Sequence, residues 1–169
     1  DVYKRQVRWL VMENSIKFSN SENSTTMSSV LSKSNKFLDW SLPVEKAHID
    51  LNEKTLTLNG VNELQVSDAY IIPNRETVLI RENFVIDELT KAELILDTLN
   101  EFHKFVDANI KVESKNKFEG KGIYEYINFN EDTFKIPFSE FELRDMEDES
   151  GNIRSVSYTH LTLPTTSCG

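Results

Sequence analysis

The chain of 169 residues is poor in glycine (5), proline (4) and histidine (3), and its single cysteine, Cys168, lies at the far end. So few glycines and prolines exclude collagen-like and low-complexity classes. Without Cys168 the chain has no thiol, which rules out disulfide staples and thiolate metal sites elsewhere in it. Positive charge is also scarce: 19 Lys and Arg stand against 28 Asp and Glu, a net charge of −9. Binding a phosphate backbone needs clustered Lys and Arg, so nucleic acid is not an expected partner. No apolar run approaches bilayer length, and residues Asp1 to Gln6 carry no apolar core like that of a signal peptide. Gly-rich phosphate loops, His-Glu-x-x-His, Cys-x-x-Cys and Gly-x-Ser-x-Gly are all missing, which removes the common nucleotide, zinc and hydrolase signatures. What is present is 38% hydrophobic and 28% charged residues, a balance that supports one buried core.

Both ends of the chain resemble translated sequencing-adapter runs of the kind found on open reading frames from fragmentary environmental assemblies. The runs are Asp1-Val2-Tyr3-Lys4-Arg5-Gln6 and Ser157-Tyr158-Thr159-His160-Leu161-Thr162-Leu163-Pro164-Thr165-Thr166. The resemblance implies artefact at 1–6 and 156–169 and an authentic fragment over 7–155, any leader or anchor of the parent lying outside it. The acidic balance survives the loss of Asp1, Lys4 and Arg5. Within the fragment, 7–45 reads as N-terminal strands with a Ser/Asn-rich loop, 46–145 as a β-sheet module and 146–155 as an acidic turn.

Trp9-Leu10-Val11-Met12 and Ile16-Lys17-Phe18 read as short strands around the turn cluster Glu13-Asn14-Ser15. Ser19 to Ser34, dense in Ser, Asn and Thr, reads as a loop. Ile49 and Leu51, then Leu56 and Leu58, alternate with polar residues across a break at Asn52-Glu53-Lys54 that suits a hairpin. Asn59-Gly60 and Pro73-Asn74 mark further turns, with extended segments through Leu64 and Val66, Tyr70-Ile71-Ile72 and Val78-Leu79-Ile80. From Asp87 to Ala108 two readings compete. Leu89, Ala92, Leu96, Leu99 and Val106 fall near helical spacing, with Thr90 and Glu93 resembling a capping box. Ala92, Leu94 and Leu96 also alternate as a strand would, as do Ala108, Ile110 and Val112. The strand reading is preferred, and a short helix within 87–106 stays open. Tyr124 and Tyr126 mark an aromatic strand with Gly120 and Gly122 at its start, where a bulge or close backbone approach is expected. Phe134, Ile136 and Phe138 alternate in a strand that Pro137 assigns to an edge or a bulge, and Phe141 and Leu143 close the series before the acidic residues Asp145 to Glu149.

The pattern predicts an all-β fold, mostly antiparallel, as an elongated or curved sheet, with sandwich, solenoid layer and groove segment left open. No metal site or cofactor is expected. His48 stands beside Asp50, and His103 sits between Phe102 and Phe105; both read as packed or capping histidines. Glu119 and Glu125 share one strand face, but six residues along a regular strand span roughly 20 Å, too far for a glycosidase pair. The run Asp145, Glu147, Asp148, Glu149 lacks EF-hand spacing and reads as a solvated turn. Tyr124 and Tyr126 share a face and are the candidate ligand-binding residues, a stacking platform for sugars set against ordinary sheet packing.

The string Val66-Ser67-Asp68-Ala69-Tyr70-Ile71-Ile72-Pro73-Asn74 is followed by Val78-Leu79-Ile80-Arg81, Ala92-Glu93-Leu94, Phe102-His103, Asp107-Ala108-Asn109-Ile110-Lys111-Val112 and Gly120-Lys121-Gly122-Ile123-Tyr124-Glu125-Tyr126. In order and spacing these resemble the large, uncharacterised, repeat-rich β proteins of Bacteroidetes-type Gram-negative bacteria, over roughly Lys46 to Arg144. Phe102 stands where that pattern has Tyr, and Arg75-Glu76 where it has a glycine turn. The resemblance implies a bacterial envelope location, in periplasm or outer membrane, and a long β assembly; it supplies no catalytic residue. The expected function is a non-enzymatic structural segment of such a protein, with an apolar groove as one form of it. By analogy of architecture with AsmA-type lipid carriers, Ile49, Leu51, Leu56, Leu58, Ala108, Ile110 and Val112 would line that groove. The alternative is a glycan- or protein-binding module of a surface protein. Expected partners are the missing parts of the parent chain and either a lipid or another envelope protein.

Overall fold

The protein is described from a computed structural model that covers residues 6–19, 28–96, 103–127, 131–147 and 153–160, the backbone alone for 6, 144–147 and 153–160. It is all-β, and every ladder among the described residues is antiparallel. Helix occurs there only as three-residue 3-10 turns.

Two sheets and a hairpin share one core. The N-terminal sheet has the order β1 (Gln6–Leu10), β2 (Ser15–Ser19), β5 (Lys46–Asp50), β6 (Thr55–Asn59), β9 (Thr77–Arg81), β10 (Val85–Ile86). The C-terminal sheet has the order β15 (Ile153–His160), β14 (Thr133–Glu147), β13 (Lys117–Ile127), β12 (His103–Ser114), β11 (Leu89–Leu96), β8 (Ala69–Ile72), β7 (Leu64–Val66). The hairpin is β3 (Ser28–Leu31) with β4 (Ser41–Val44).

Local chemistry sets the turns. The Asp50 carboxylate accepts the backbone N–H groups of Asn52 (2.9 Å) and Glu53 (3.0 Å), closing the β5–β6 hairpin at the expected polar break. The chain changes sheets at Asn59-Gly60, where Gly60 has φ +73°, and Val61 N–H donates to the Glu76 carbonyl of the return corner at 3.0 Å. At that corner Arg75 and Glu76 both adopt left-handed backbone, φ 58° and 52°. The conformation a glycine would supply is thus held by two side-chain-bearing residues, at a cost of about 1–2 kcal/mol each.

Three expectations need correction. Val11 and Met12 leave the first strand and form a 3-10 turn, because Asn14 takes a left-handed conformation (φ 48°) that reverses the chain. Ser28–Leu31, expected in a loop, is a strand that pairs with β4 and turns Val30 toward the core; the rest of that loop, 20–27, is outside the described residues. The strand closed at Leu143 in the sequence reading continues through Glu147, with Asp145, Met146 and Glu147 laddered to Ser155, Arg154 and Ile153 of β15.

The described part of 87–108 is two strands, and β-bulges explain why its spacing resembled a helix. The β11–β12 ladder slips between Leu89 and Ala92, and again opposite Ala92 and Leu94. Lys91 and Asp107, in left-handed backbone at φ 53° and 49°, mark the inserted residues. Each bulge puts residues three apart on the same face, so Leu89 and Ala92, and Phe105 and Ala108, all point into the core. A third bulge, opposite Gly120 and Gly122, does the same for Phe138 and Phe141, and Pro137 sits beside it. Gly120 leaves room for this crowding: a Cβ there would lie 2.5 Å from the Asn109 carbonyl oxygen and 2.9 Å from the Phe141 ring. Gly120→Ala is therefore expected to destabilise the fold by about 1–3 kcal/mol, read as a fall in urea midpoint at unchanged slope.

Candidate functional site

Strand register writes two apolar ladders across one face of the N-terminal sheet. One runs Val7, Phe18, Ala47, Leu58, Val78; the other runs Trp9, Ile16, Ile49, Leu56, Ile80, Ile86. Their exposure falls steadily along the sheet. Val7 and Trp9 on β1 are 61% and 66% exposed and Phe18 on β2 is 38%, whereas Leu58, Val78, Ile80 and Ile86 are sealed in the core. The face is apolar from edge to edge but covered only over its far half.

The hairpin sets the limit of that cover. Phe37, Trp40, Leu42 and Val44 are buried in the core, with Phe37 stacked on Trp40 (5.2 Å) and in contact with Phe84 (5.2 Å). Trp40 Nε1–H donates to the Gln65 carbonyl at 2.8 Å, which ties the hairpin to edge strand β7 of the other sheet. Between the hairpin and the uncovered strands lies an apolar trough of about 430 Å³. Val7, Phe18, Ala47, Ile49 and Leu56 form its floor, Val30 and Val44 its wall, and Ser19, Ser28, Ser29 and Glu45 its polar rim. A cavity of that size and lining is suited to a small apolar ligand.

The opposite face of the same strands carries one row of basic residues, with Asp50 two positions from it on β5. Arg8, Lys17 and His48 stand directly opposite one another in the ladder. His48 is half-buried and lies near Asp50, whose carboxyl is held below the usual carboxylate range by the Glu53 and Asn52 N–H groups, with His48 adding a smaller attraction.

Of the expected groove rows, only Ile49 and Leu56 reach the trough. Leu58, Ala108, Ile110 and Val112 are core residues, and Leu51 is turned outward in the β5–β6 turn. Sequence reading missed Val7, Phe18, Ala47 and the hairpin residues Val30 and Val44. The period-two phase of Phe18 with Ile16 and of Ala47 with Ile49 carried the floor, whereas nothing local marked the wall.

Tyr124 and Tyr126 do share a face but separate in role. Tyr124 is half-buried, packed on Phe105 (5.2 Å) and Phe138 (6.1 Å), with its hydroxyl 2.8 Å from His103 Nδ1. Tyr126 is 48% exposed and meets Phe134 across the ladder at 6.4 Å. His103 is exposed on β12 rather than held in a half-buried turn; Phe102 lies outside the described residues. Glu119 and Glu125 are each paired with lysine, Lys111 at 3.0 Å and Lys135 at 3.2 Å, on the solvated outer face. Among the described residues no cluster of His, Cys, Asp and Glu has the makings of a metal site.

Desolvation raises the Tyr124 hydroxyl above its ordinary value of 10.0, with the neighbouring Tyr126 adding to the effect. A raised folded-state pKa means that its contribution to stability is intact below pH ~10 and is lost as pH climbs through the folded value. Tyr124→Phe should flatten the alkaline limb of a stability–pH profile; an unchanged limb would show that Tyr124 ionises as freely as in the unfolded chain. Comparison with protein-family models, with curated proteins and with solved structures gives no match.

Proposed function

We propose that the chain is a non-enzymatic structural module of a long β-rich protein of the bacterial envelope, and that its trough holds a single acyl chain. One observation carries the reading: the apolar ladders continue past their cover, half-buried at Ile49 on β5 and exposed at Phe18 on β2 and Val7 and Trp9 on β1, leaving a floor of aliphatic and aromatic side chains with polar groups at the rim. Leaving such a face in water is costly at about 25 cal/mol per Å², and large exposed apolar patches are characteristic of ligand grooves and interaction sites. The envelope location rests on the sequence resemblance.

The alternative, a glycan- or protein-binding surface, retains only Tyr126 and its neighbour Phe134, exposed by 48% and 50%. Tyr124 is engaged in packing, so the two tyrosines do not form one stacking platform.

Displacement of a fluorescent fatty acid tests the trough. Affinity should rise by about fourfold per added methylene, the equivalent of about 0.8 kcal/mol, until the trough is full. Ala47→Leu, which fills the floor, should move that plateau to a chain shorter by about three carbons. Phe18→Glu, at the more exposed end of the floor, should weaken binding by at least about tenfold. Binding that ignores chain length and both substitutions would contradict the reading.

A further inference from the structure

We propose that β1 is a docking edge for an extended strand of a separate protein chain, one that alternates apolar and acidic residues. The inference deepens the proposed function and rests on it in one respect: the added strand would lengthen the floor of the same trough.

The edges of the two sheets are unequal. On the N-terminal sheet, the edge strand β10 is two residues long and is followed by Asp87, which the Arg81 guanidinium grips through two hydrogen bonds of 2.6 and 2.8 Å. On the other sheet, edge strand β7 is three residues long with its Gln65 carbonyl taken by Trp40, and the opposite edge strand β15 is eight residues long. Short strands and occupied backbone groups discourage pairing with another chain. Among the described residues the five-residue β1 has neither protection, and unlike β15 it borders the apolar trough. Val7 and Trp9 point to the trough side and are 61% and 66% exposed, and among the described residues of β1 no charged side chain shares that face. An incoming strand would pair with the outward backbone groups of β1, which no described strand takes up, and continue both apolar ladders with its own alternate residues.

Charge selects the other half of the partner's pattern. Between Val7 and Trp9, Arg8 projects to the reverse face, directly opposite Lys17, which is in turn opposite His48. Like charges in direct register are unfavourable, and the chain as a whole is acidic, with a net charge of −9. Among the described residues Lys17 has a distant partner in Glu13 (3.7 Å) and Arg8 has no ion-pair partner. A carboxylate on the added strand beside Arg8 would relieve this row, whereas a lysine there would extend it.

The probe is a fluorescein-labelled seven-residue peptide alternating valine and glutamate, compared with a valine–lysine peptide of equal length. Anisotropy should show the acidic peptide binding at least about tenfold more tightly, with Trp9 emission shifting to the blue as its ring is covered. Arg8→Glu, an exposed change on the face away from the trough, should reverse the preference while leaving fatty-acid displacement unaltered. Equal affinity for the two peptides, no binding, or indifference to Arg8→Glu would overturn the proposal. So would a Trp9-dependent dimer in sedimentation, because the occupant would then be a second copy. Loss of fatty-acid binding with peptide selectivity intact would instead count against the acyl-chain reading alone.

Discussion

How far the inner face of the N-terminal sheet is covered governs the rest of the molecule. In a strand, alternate residues share a face, and an antiparallel ladder carries that parity from strand to strand. Six strands in one register therefore present a continuous apolar surface, from Val7 and Trp9 at one edge to Ile86 at the other. The facing sheet and the hairpin seal Leu58 on β6 and the inward residues of β9 and β10, but not those of β1 and β2. The apolar pattern runs on along the sheet where the cover has already stopped, and the trough is the space that results.

The cover is placed by a few directional contacts. The Trp40–Gln65 hydrogen bond and the Phe37–Trp40–Phe84 ring contacts fix the hairpin at one depth between the sheets, which sets the wall of the trough at Val30 and Val44. In the other sheet, bulges at Lys91 and Asp107 keep Leu89, Ala92, Phe105 and Ala108 all inward, so that these residues fill their share of the core. The outer face of that sheet is a solvated lattice of lysine–glutamate pairs such as Lys104–Glu93 and Lys117–Glu113. Exposed pairs of this kind contribute little to stability, but they keep that face polar while the N-terminal sheet keeps an apolar one open.

Much of the fold was legible in the sequence because strand alternation is a local signal. The all-β class, the β5–β6 hairpin at Asn52–Lys54, the turn at Gly60 and the close approach at Gly120 all followed from residues a few positions apart. The segment containing Leu89, Ala92 and Leu94 was ambiguous for a physical reason, since a bulge inserts one residue and converts period two into a spacing of three. The site was less legible. Ile49 and Leu56 were read as groove residues, but Ala108, Ile110 and Val112 have the same alternation and are sealed, because exposure depends on what lies across from a strand and not on the strand itself. The hairpin was invisible for the same reason: Ser28 and Ser29 belong to a Ser/Asn/Thr-rich stretch of loop-like composition, and only the partner β4 makes Ser28–Leu31 a strand. Tyr124 and Tyr126 were correctly placed on one face, yet the aromatic cluster of Phe105 and Phe138 reaches just one of them.

The chain contains two tryptophans, and they sample the two ends of the cover. Trp9 stands on the open edge at 66% exposure, and Trp40 lies in the core at 9%. Acrylamide quenching of the unaltered protein and of Trp9→Phe gives the most direct test that the inner face is only half covered. The account predicts that the component lost in Trp9→Phe is freely quenched with red-shifted emission, and that the remaining Trp40 signal is protected and blue-shifted. A protected Trp9, or a Trp40 as accessible as a free indole, would contradict it.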